Sequence, residues 1–310
     1  MSSRIDKHFS VEQYPFLNTS KAALIYNSET YLSIYNTHNL FRFSLVKDNQ
    51  EVIFIHFYIS GAEAYNARYS GIASFDGPEI NSENIAILIT YLQDWGSKNG
   101  VQRFMIKNAP DFYYPDELNL ENVLIQNGIE LSLSELNQHI KVTHADYFAL
   151  LKKNEKKRLR KCHNKGFTFR QLEVSFLSSA YDIIKQNRAL KGYPMTMSYE
   201  DLLKMYKNFP DQYLLFGVFD DKTLIAVAVS IKVSDQVLYN FYHGDDFKYR
   251  TYSPIVMVLQ GVYNYCQKLQ IRFLDLGISS VSGVLNEGLY AFKRNCGAED
   301  GKRNIFTLSL

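Results

Sequence analysis

Apolar positions recur along the chain with two periods. Short runs of strand length alternate with longer stretches spaced for a helix face. In the first half LFRFSLVKD, VIFIHFYIS and ARYSGIASF read as strands, with a turn at DNQE. In the second half QYLLFGVFDD, LIAVAVSIKV and QVLYNFYHG read the same way, with a turn at DDKT. Asp, Asn and Lys suit these hairpin positions. A long apolar helical run follows each set, NIAILITYLQDWGSKNG and PIVMVLQGVYNYCQKLQ. Each half then gives a strand (RFMIK; RFLDLG), a second helix and a closing strand (HIKV; IFTLSL), and a short amphipathic helix opens each (SETYLSIY; SYEDLLKMY). This order predicts an α/β (α+β) chain: a mixed, mostly antiparallel sheet flanked by helices, occurring twice.

The two halves keep a nearly constant offset. Arg103-Phe104 aligns with Arg272-Phe273 (272 − 103 = 169), Gly128 with Gly297 (297 − 128 = 169), and Phe41 with Leu214 (214 − 41 = 173). The reading is therefore a tandem repeat, with units at 1–143 and 167–310 joined by a basic helix at 144–166. Within that join, KKNEKKRLRKCHNK (152–165) carries eight Lys/Arg and one Glu, so 8 − 1 = +7. The whole chain is only +2, so the remainder is 2 − 7 = −5. A solvated linking helix is one reading, and a stripe attracting the phosphates of a nucleotide, CoA or tRNA is the other. Gly166 suits the end of this helix.

Composition narrows the class. With 310 residues, 46% hydrophobic and 21% charged, the chain is globular rather than disordered. Its near-neutral net charge excludes a general nucleic-acid-binding polycation. No apolar run of about 18 residues crosses a membrane, and MSSRIDKHFS lacks the apolar core of a secretory signal. Three dispersed cysteines and seven dispersed histidines give neither a disulfide framework nor a metal site. A cytoplasmic protein is expected.

The second half holds the candidate chemistry. Ser253-Pro254 reads as the start of the long helix, with Ser253 as N-cap. A helix N-terminus presents unpaired N–H groups and partial positive charge, which suits phosphate. Lys248 and Arg250 strengthen that site, and Asp245 and Asp246 weaken it. The corresponding first-half segment, ASFDGPEINSEN, has no Lys or Arg. One working unit and one degenerate or acceptor-recognising unit are expected.

Three segments of the second half resemble the GNAT acyltransferase superfamily, and more narrowly its tandem branch with the Fem-type peptidyltransferases. NFYHGDD is similar to their aromatic-x-Tyr-x-Gly-Ser strand end, at Tyr242 and Gly244. RFLDLGIS is similar to their YDFGGI strand, at Asp275 and Gly277. LYAFKRNCGAE is similar to their L-x-x-FK-x-G-F helix, at Phe292, Lys293 and Gly297. The basic helix RLRKCHNKGFTF resembles their linker. The resemblance implies an acyl donor held between QVLYNFYHG and RFLDLGIS, its phosphates on Lys248, Arg250, Thr251, Tyr252 and Ser253. Two departures stand out. The usual pyrophosphate loop's two glycines are absent around Thr251 and Ser253. The arginine with which Fem-type enzymes grip the cell-wall precursor has no counterpart in GYPMTMSYE (192–200).

The implied reaction is attack of an amine or hydroxyl on a thioester or ester carbonyl. It needs a proton acceptor, stabilisation of the oxyanion and neutralisation of the leaving group. Lys293, four residues before Gly297, is the leading candidate to neutralise that group. Tyr242 and His243 end one strand on opposite faces, with His243 a candidate base. Asp275 lies in an otherwise apolar strand, and Tyr290 and Glu287 flank the last helix. The expected donor is acyl-CoA, acetyl-CoA included, or else aminoacyl-tRNA held by helix 152–165. The acceptor is a small molecule, peptide or sugar. A catalytically inactive ligand-binding protein of this fold is the alternative of another class.

Overall fold

The computed structural model describes residues 7–16, 20–34, 38–66 and 74–310. The run ARYSGIASF lies mostly outside the described residues. The chain divides into two compact units, residues 1–135 with 302–310, and residues 136–301. The division falls earlier than the expected 143. Residues 302–310 also group with the first unit rather than ending the second. The reason is pairing: Ile305–Ser309 form an antiparallel ladder with Arg103–Lys107.

The first unit contains β1 (Lys7–Gln13), α1 (Glu29–Ser33), β2 (Leu40–Lys47), β3 (Gln50–Ser60), β4 (Glu63–Tyr65), α2 (Ser82–Asn99), β5 (Arg103–Lys107) and α3 (Leu120–Gln126). β6 (Glu130–Lys141) crosses the division. The second unit contains α4 (Tyr147–Leu150), α5 (Lys153–Asn164), β7 (Thr168–Leu172), α6 (Leu177–Leu190), α7 (Tyr199–Asn208), β8 (Tyr213–Asp220), β9 (Thr223–Lys232) and β10 (Val237–Asp245). It continues with α8 (Ile255–Lys268), β11 (Phe273–Ile278), the two-residue strands β12 (Ser280–Val281) and β13 (Val284–Leu285), and α9 (Glu287–Asn295). β14 (Glu299–Ser309) begins in the second unit and ends in the first.

In the first unit the strands run β1-β2-β3-β4-β5 and then the end of β14. All these pairs are antiparallel except β4 with β5. The second unit's order is β7-β8-β9-β10-β11 and then the end of β6. There only β10 and β11 are parallel.

Local sequence explains the boundaries. The side chains of Ser28, Asn81, Ser198 and Asn286 accept backbone N–H bonds at the starts of α1, α2, α7 and α9. Gly100 and Gly166 turn left-handed to end α2 and α5, as only a residue without Cβ does cheaply. Asp48 and Asn49, both at positive φ, make the tight turn between β2 and β3. The apolar face of α2 (Ile85, Leu88, Ile89, Leu92) is buried, and its Trp95 meets Phe43 edge-on at 4.9 Å. In the second unit Val256, Leu259, Val262 and Tyr263 of α8 are buried with Phe216, Ala226, Leu238 and Leu274 of the sheet. Each buried Val or Leu contributes about 1.5–3 kcal/mol, so α8 is anchored firmly on its sheet.

Candidate active site

β10 and β11 part company. Their parallel register is Val237↔Phe273, Leu238↔Leu274 and Tyr239↔Asp275, and it ends there. β10 stays paired with β9 as far as Asp245↔Ala226, across an irregularity between Asn240 and Tyr242. β11 stays with β6 as far as Ile278↔Asn137, with an irregularity of its own. Beyond Tyr239 and Asp275 the two strands no longer pair with each other, which leaves a cleft in the hydrogen-bond ladder with backbone groups on either side.

The groups that would close it are engaged elsewhere. The Gly277 N–H donates to Asp275 Oδ1 at 2.7 Å. The Lys293 Nζ donates to the carbonyl oxygens of Gly277 and Ile278, each at 2.8 Å. Lys293 is only 3% exposed, although it stands on a short terminal helix. Asp275 is fully buried and also accepts from Asn137 Nδ2 at 2.8 Å. Gly277 sits at φ +72, and a Cβ there would stand 3.1 Å from the Tyr239 ring.

On the other side of the cleft, Asn240 Nδ2 lies 3.2 Å from His243 Nδ1. An amide nitrogen only donates, so His243 Nδ1 accepts and the ring proton sits on Nε2. Burial, with the positive charges of Lys191, Lys293 and Arg188 nearby, pushes His243 down to about 3. Its imidazole is neutral at pH 7 and a weak proton acceptor, and its Nε2–H is a hydrogen-bond donor. Asn240 Oδ1 and the facing Ser230 Oγ are buried without a hydrogen bond. Such groups demand a polar partner.

The other expected residues fall in different places. Tyr242 is buried, and its hydroxyl pairs with the Thr196 N–H at 3.1 Å and with the Thr196 hydroxyl. Tyr290 donates to Asp300 Oδ2 at 3.1 Å, and Glu287 is exposed. The structure thus brings together Asp275, Lys293 and His243, and directs Tyr242 and Tyr290 to other partners. Sequence reading passed over α6, although Leu177, Ala180 and Ile184 carry a helical period and are buried. It also passed over Asn240, for which burial and an unmet oxygen are the only signals.

The loop after β10 leads to a second feature. Asp246 caps the short helical turn Phe247–Tyr249 by accepting from the Lys248 N–H. Asp245 accepts from Asn187 Nδ2 at 2.7 Å. Burial raises its pKa, and Lys191, Asn187 and Arg250 oppose the rise. The two acids that weakened the phosphate reading are therefore occupied. The Arg250 guanidinium lies 5.2 Å from the Phe247 ring centroid. Ser253 does not cap α8. Pro254 holds the N-cap position without a side-chain bond, and Ser253 turns left-handed at φ +53. The Val256 N–H is instead taken by the Ser253 backbone carbonyl at 3.1 Å. Thr251 and Tyr252 line a groove of about 410 Å³ with Lys161, Asn164 and Lys165 at the end of α5. The Cys162 thiol bonds the Tyr252 carbonyl at 3.5 Å, and Phe167 meets the Tyr252 ring edge-on at 5.2 Å. The basic helix and the loop before α8, singled out separately in the sequence, form one groove.

Among the described residues no group of His, Cys, Asp and Glu is arranged to hold a metal ion. No helix of the described residues is long and apolar enough to cross a membrane.

The mixed sheet with flanking helices is a fold shared with solved structures. FemX superimposes with a TM-score of 0.68 at 12% identity, over 87% of each chain. L-PGS from Bacillus licheniformis gives 0.54 at 9% identity, over 82% of this chain and 80% of that one. The tandem GNAT protein from the clavulanic acid biosynthesis pathway gives 0.50 at 9%, over 87% and 82%. At these identities the likeness is one of fold. The sequence matches no protein-family model and no curated protein.

Proposed function

We propose that the chain is a cytoplasmic acyltransferase of two tandem GNAT-like units. Its second unit takes acyl-CoA, and the acyl group passes to an amine or hydroxyl of a small-molecule, peptide or sugar acceptor. The observation that carries this reading is the parting of β10 from β11 after Tyr239 and Asp275. An extended donor chain with amide groups fits such a cleft, because the β10 edge is no longer paired with β11 there and its Asn240 Oδ1 lacks a hydrogen-bond partner. Lys161, Lys165, Thr251 and the loop at Lys248 and Arg250 take the donor's phosphates. In the reaction the acceptor nitrogen or oxygen bonds the acyl carbon, the carbon–sulfur bond breaks with its electron pair on sulfur, and the acceptor's proton passes to that thiolate, so that CoA leaves as the thiol. The His243 Nε2–H donates to the carbonyl oxygen as it gains charge. The Lys293 ammonium lowers the energy of the departing thiolate. With His243 so weakly basic, the acceptor amine reacts as its free base.

The test is calorimetric binding of acetyl-CoA and CoA to wild type and to K161E/K165E. One exposed charge about 4 Å from a phosphate contributes about 1 kcal/mol in water, and reversal doubles the change. The double variant is expected to bind at least tenfold more weakly. Absence of binding by any CoA refutes the proposal.

A second reading, aminoacyl-tRNA as donor, is favoured by the +7 run whose last turn lines the groove. It predicts that log affinity for tRNA falls steeply with log salt.

A further inference from the structure

The two units meet the same strand junction in opposite ways. In the first unit the parallel pairing of β4 with β5 also ends after three residues, at Tyr65↔Met105. The next residue is Asn66, and in the second unit the next residue after Tyr239 is Asn240. Both asparagines thus hold the same register position, each directly after a tyrosine. Their fates differ. The Asn66 N–H donates to the Met105 carbonyl at 3.2 Å. Its side-chain Nδ2 donates to the Lys107 carbonyl at 3.3 Å, and its Oδ1 accepts the Lys107 N–H at 2.8 Å. One side chain therefore substitutes for two ladder bonds and laces β4 to β5. In the second unit the residue at the register of Lys107 is Gly277, two beyond the last pair. Its N–H is held by Asp275 and its carbonyl by Lys293. Asn240 then has no strand groups to lace and turns to His243.

We propose that Asp275 and Lys293 are positioning residues that prop the β10–β11 cleft open by occupying the backbone groups of Gly277 and Ile278. In the first unit Asn66 bridges the two strands at the equivalent position, and one donor per chain is expected. This rests on the donor reading above only for that stoichiometry. The prop itself is a property of the strands.

The experiment reads the strands directly. Extending the register pairs Asn240 with Leu276, so closing the cleft brings the two thiols of N240C/L276C together. A disulfide needs Cα atoms within about 7 Å. The pair is built in the full chain with Lys293 intact, with K293M and with K293Q. Oxidation is followed by mass mapping of the 240–276 crosslink, with circular dichroism as the check on folding. Little crosslink is expected with Lys293, at least tenfold faster crosslinking with K293M, and an intermediate rate with K293Q, whose amide still donates to one carbonyl. Equal rates in all three overturn the proposal, as does absence of crosslinking in a folded K293M. If K293M does not fold, K293Q decides by the same comparison. Acetyl-CoA titration of the parents without the engineered cysteine pair is expected to give one site in wild type and none in K293M. Two sites in wild type also overturn the proposal. If the crosslink behaves as expected and no CoA binds wild type, the prop stands and the acyl-CoA reading falls.

Discussion

Gly244 sits in β10 where α6 crosses it, and its substitution sets two effects of known sign against each other. Replacing glycine by alanine restricts the unfolded chain and stabilises the folded one by about 0.4–1 kcal/mol when the backbone allows it. The backbone does allow it here, since Gly244 is not among the residues at positive φ. The obstacle is space. A Cβ on Gly244 would stand 3.1 Å from Ile184 Cα, 3.3 Å from Asn187 Cβ and 3.3 Å from the Ile183 carbonyl oxygen. These are atoms of the helix itself, not tips of flexible side chains, so α6 must move by a few tenths of an ångström. Asn187 resists, because its amide holds both the backbone and the side chain of Asp245. Overpacking of this kind costs about 1–3 kcal/mol, so sterics outweigh entropy and G244A loses about 1 kcal/mol net. That is about 2–4 °C in the unfolding midpoint of a domain this size. G244V forces two further carbons into the helix and is expected to lose at least about 3 kcal/mol. Thermal and urea unfolding of both variants measure the series. A G244A midpoint above wild type would refute the close approach of α6.

Two further outcomes follow from buried charge. Burial alone would raise the Glu51 pKa, but the hydrogen bonds and charge of Arg42 and the hydroxyls of Ser20 and Ser44 outweigh it and hold the carboxyl low. The stability it contributes is present above the unfolded value of 4.5 and is lost as pH falls through the folded value. E51Q strands the buried Arg42 and is expected to cost about 3–5 kcal/mol near neutrality, a gap that narrows in acid in urea unfolding. His243, at about 3 when folded against 6.5 for the free side chain, contributes stability above pH 6.5 that is lost as pH falls toward 3. Its ring carbon resonances are expected to stay flat from pH 5 to 8, and H243N is expected to flatten part of the acid limb of stability. Buried His56, also held well below its ordinary value, acts with the same sign, so it and Glu51 keep part of the acid limb in H243N.

Much of the architecture was legible because it rests on local rules. The strand runs, the long α8 and the end of α5 at Gly166 all follow from patterns within a few residues. The division at 135/136 was not legible, because the strand read at HIKV is the end of the longer β6, and only the pairing partners change along it. The burial of Lys293 was hidden for a similar reason. Phe-Lys on a short helix looks like surface until Gly277 and Ile278, about fifteen residues earlier, present carbonyls to it. Asp246 read as repulsion toward phosphate because its backbone-capping role appears only once the turn is formed. The site's residue types were thus visible, while their partners, set by long-range pairing, were not.

The absent glycines before α8 can be weighed the same way. Ser253 adopts φ +53, the conformation a glycine takes without strain, so the loop keeps a glycine-like turn at that position. What the serine adds is a Cβ and a strain of about 1–2 kcal/mol. S253G removes that strain but gives the unfolded chain back about 0.4–1 kcal/mol of freedom, so the net stabilisation is between about 0 and about 1.6 kcal/mol. The stability change is therefore small, and affinity becomes the informative readout. If the Cβ holds phosphate away from the N–H groups of α8, CoA binds S253G more tightly while the unfolding midpoint moves by only a few degrees. If affinity is unchanged, the anion is held by Lys161 and Lys165 across the groove, and the missing glycines carry no functional weight.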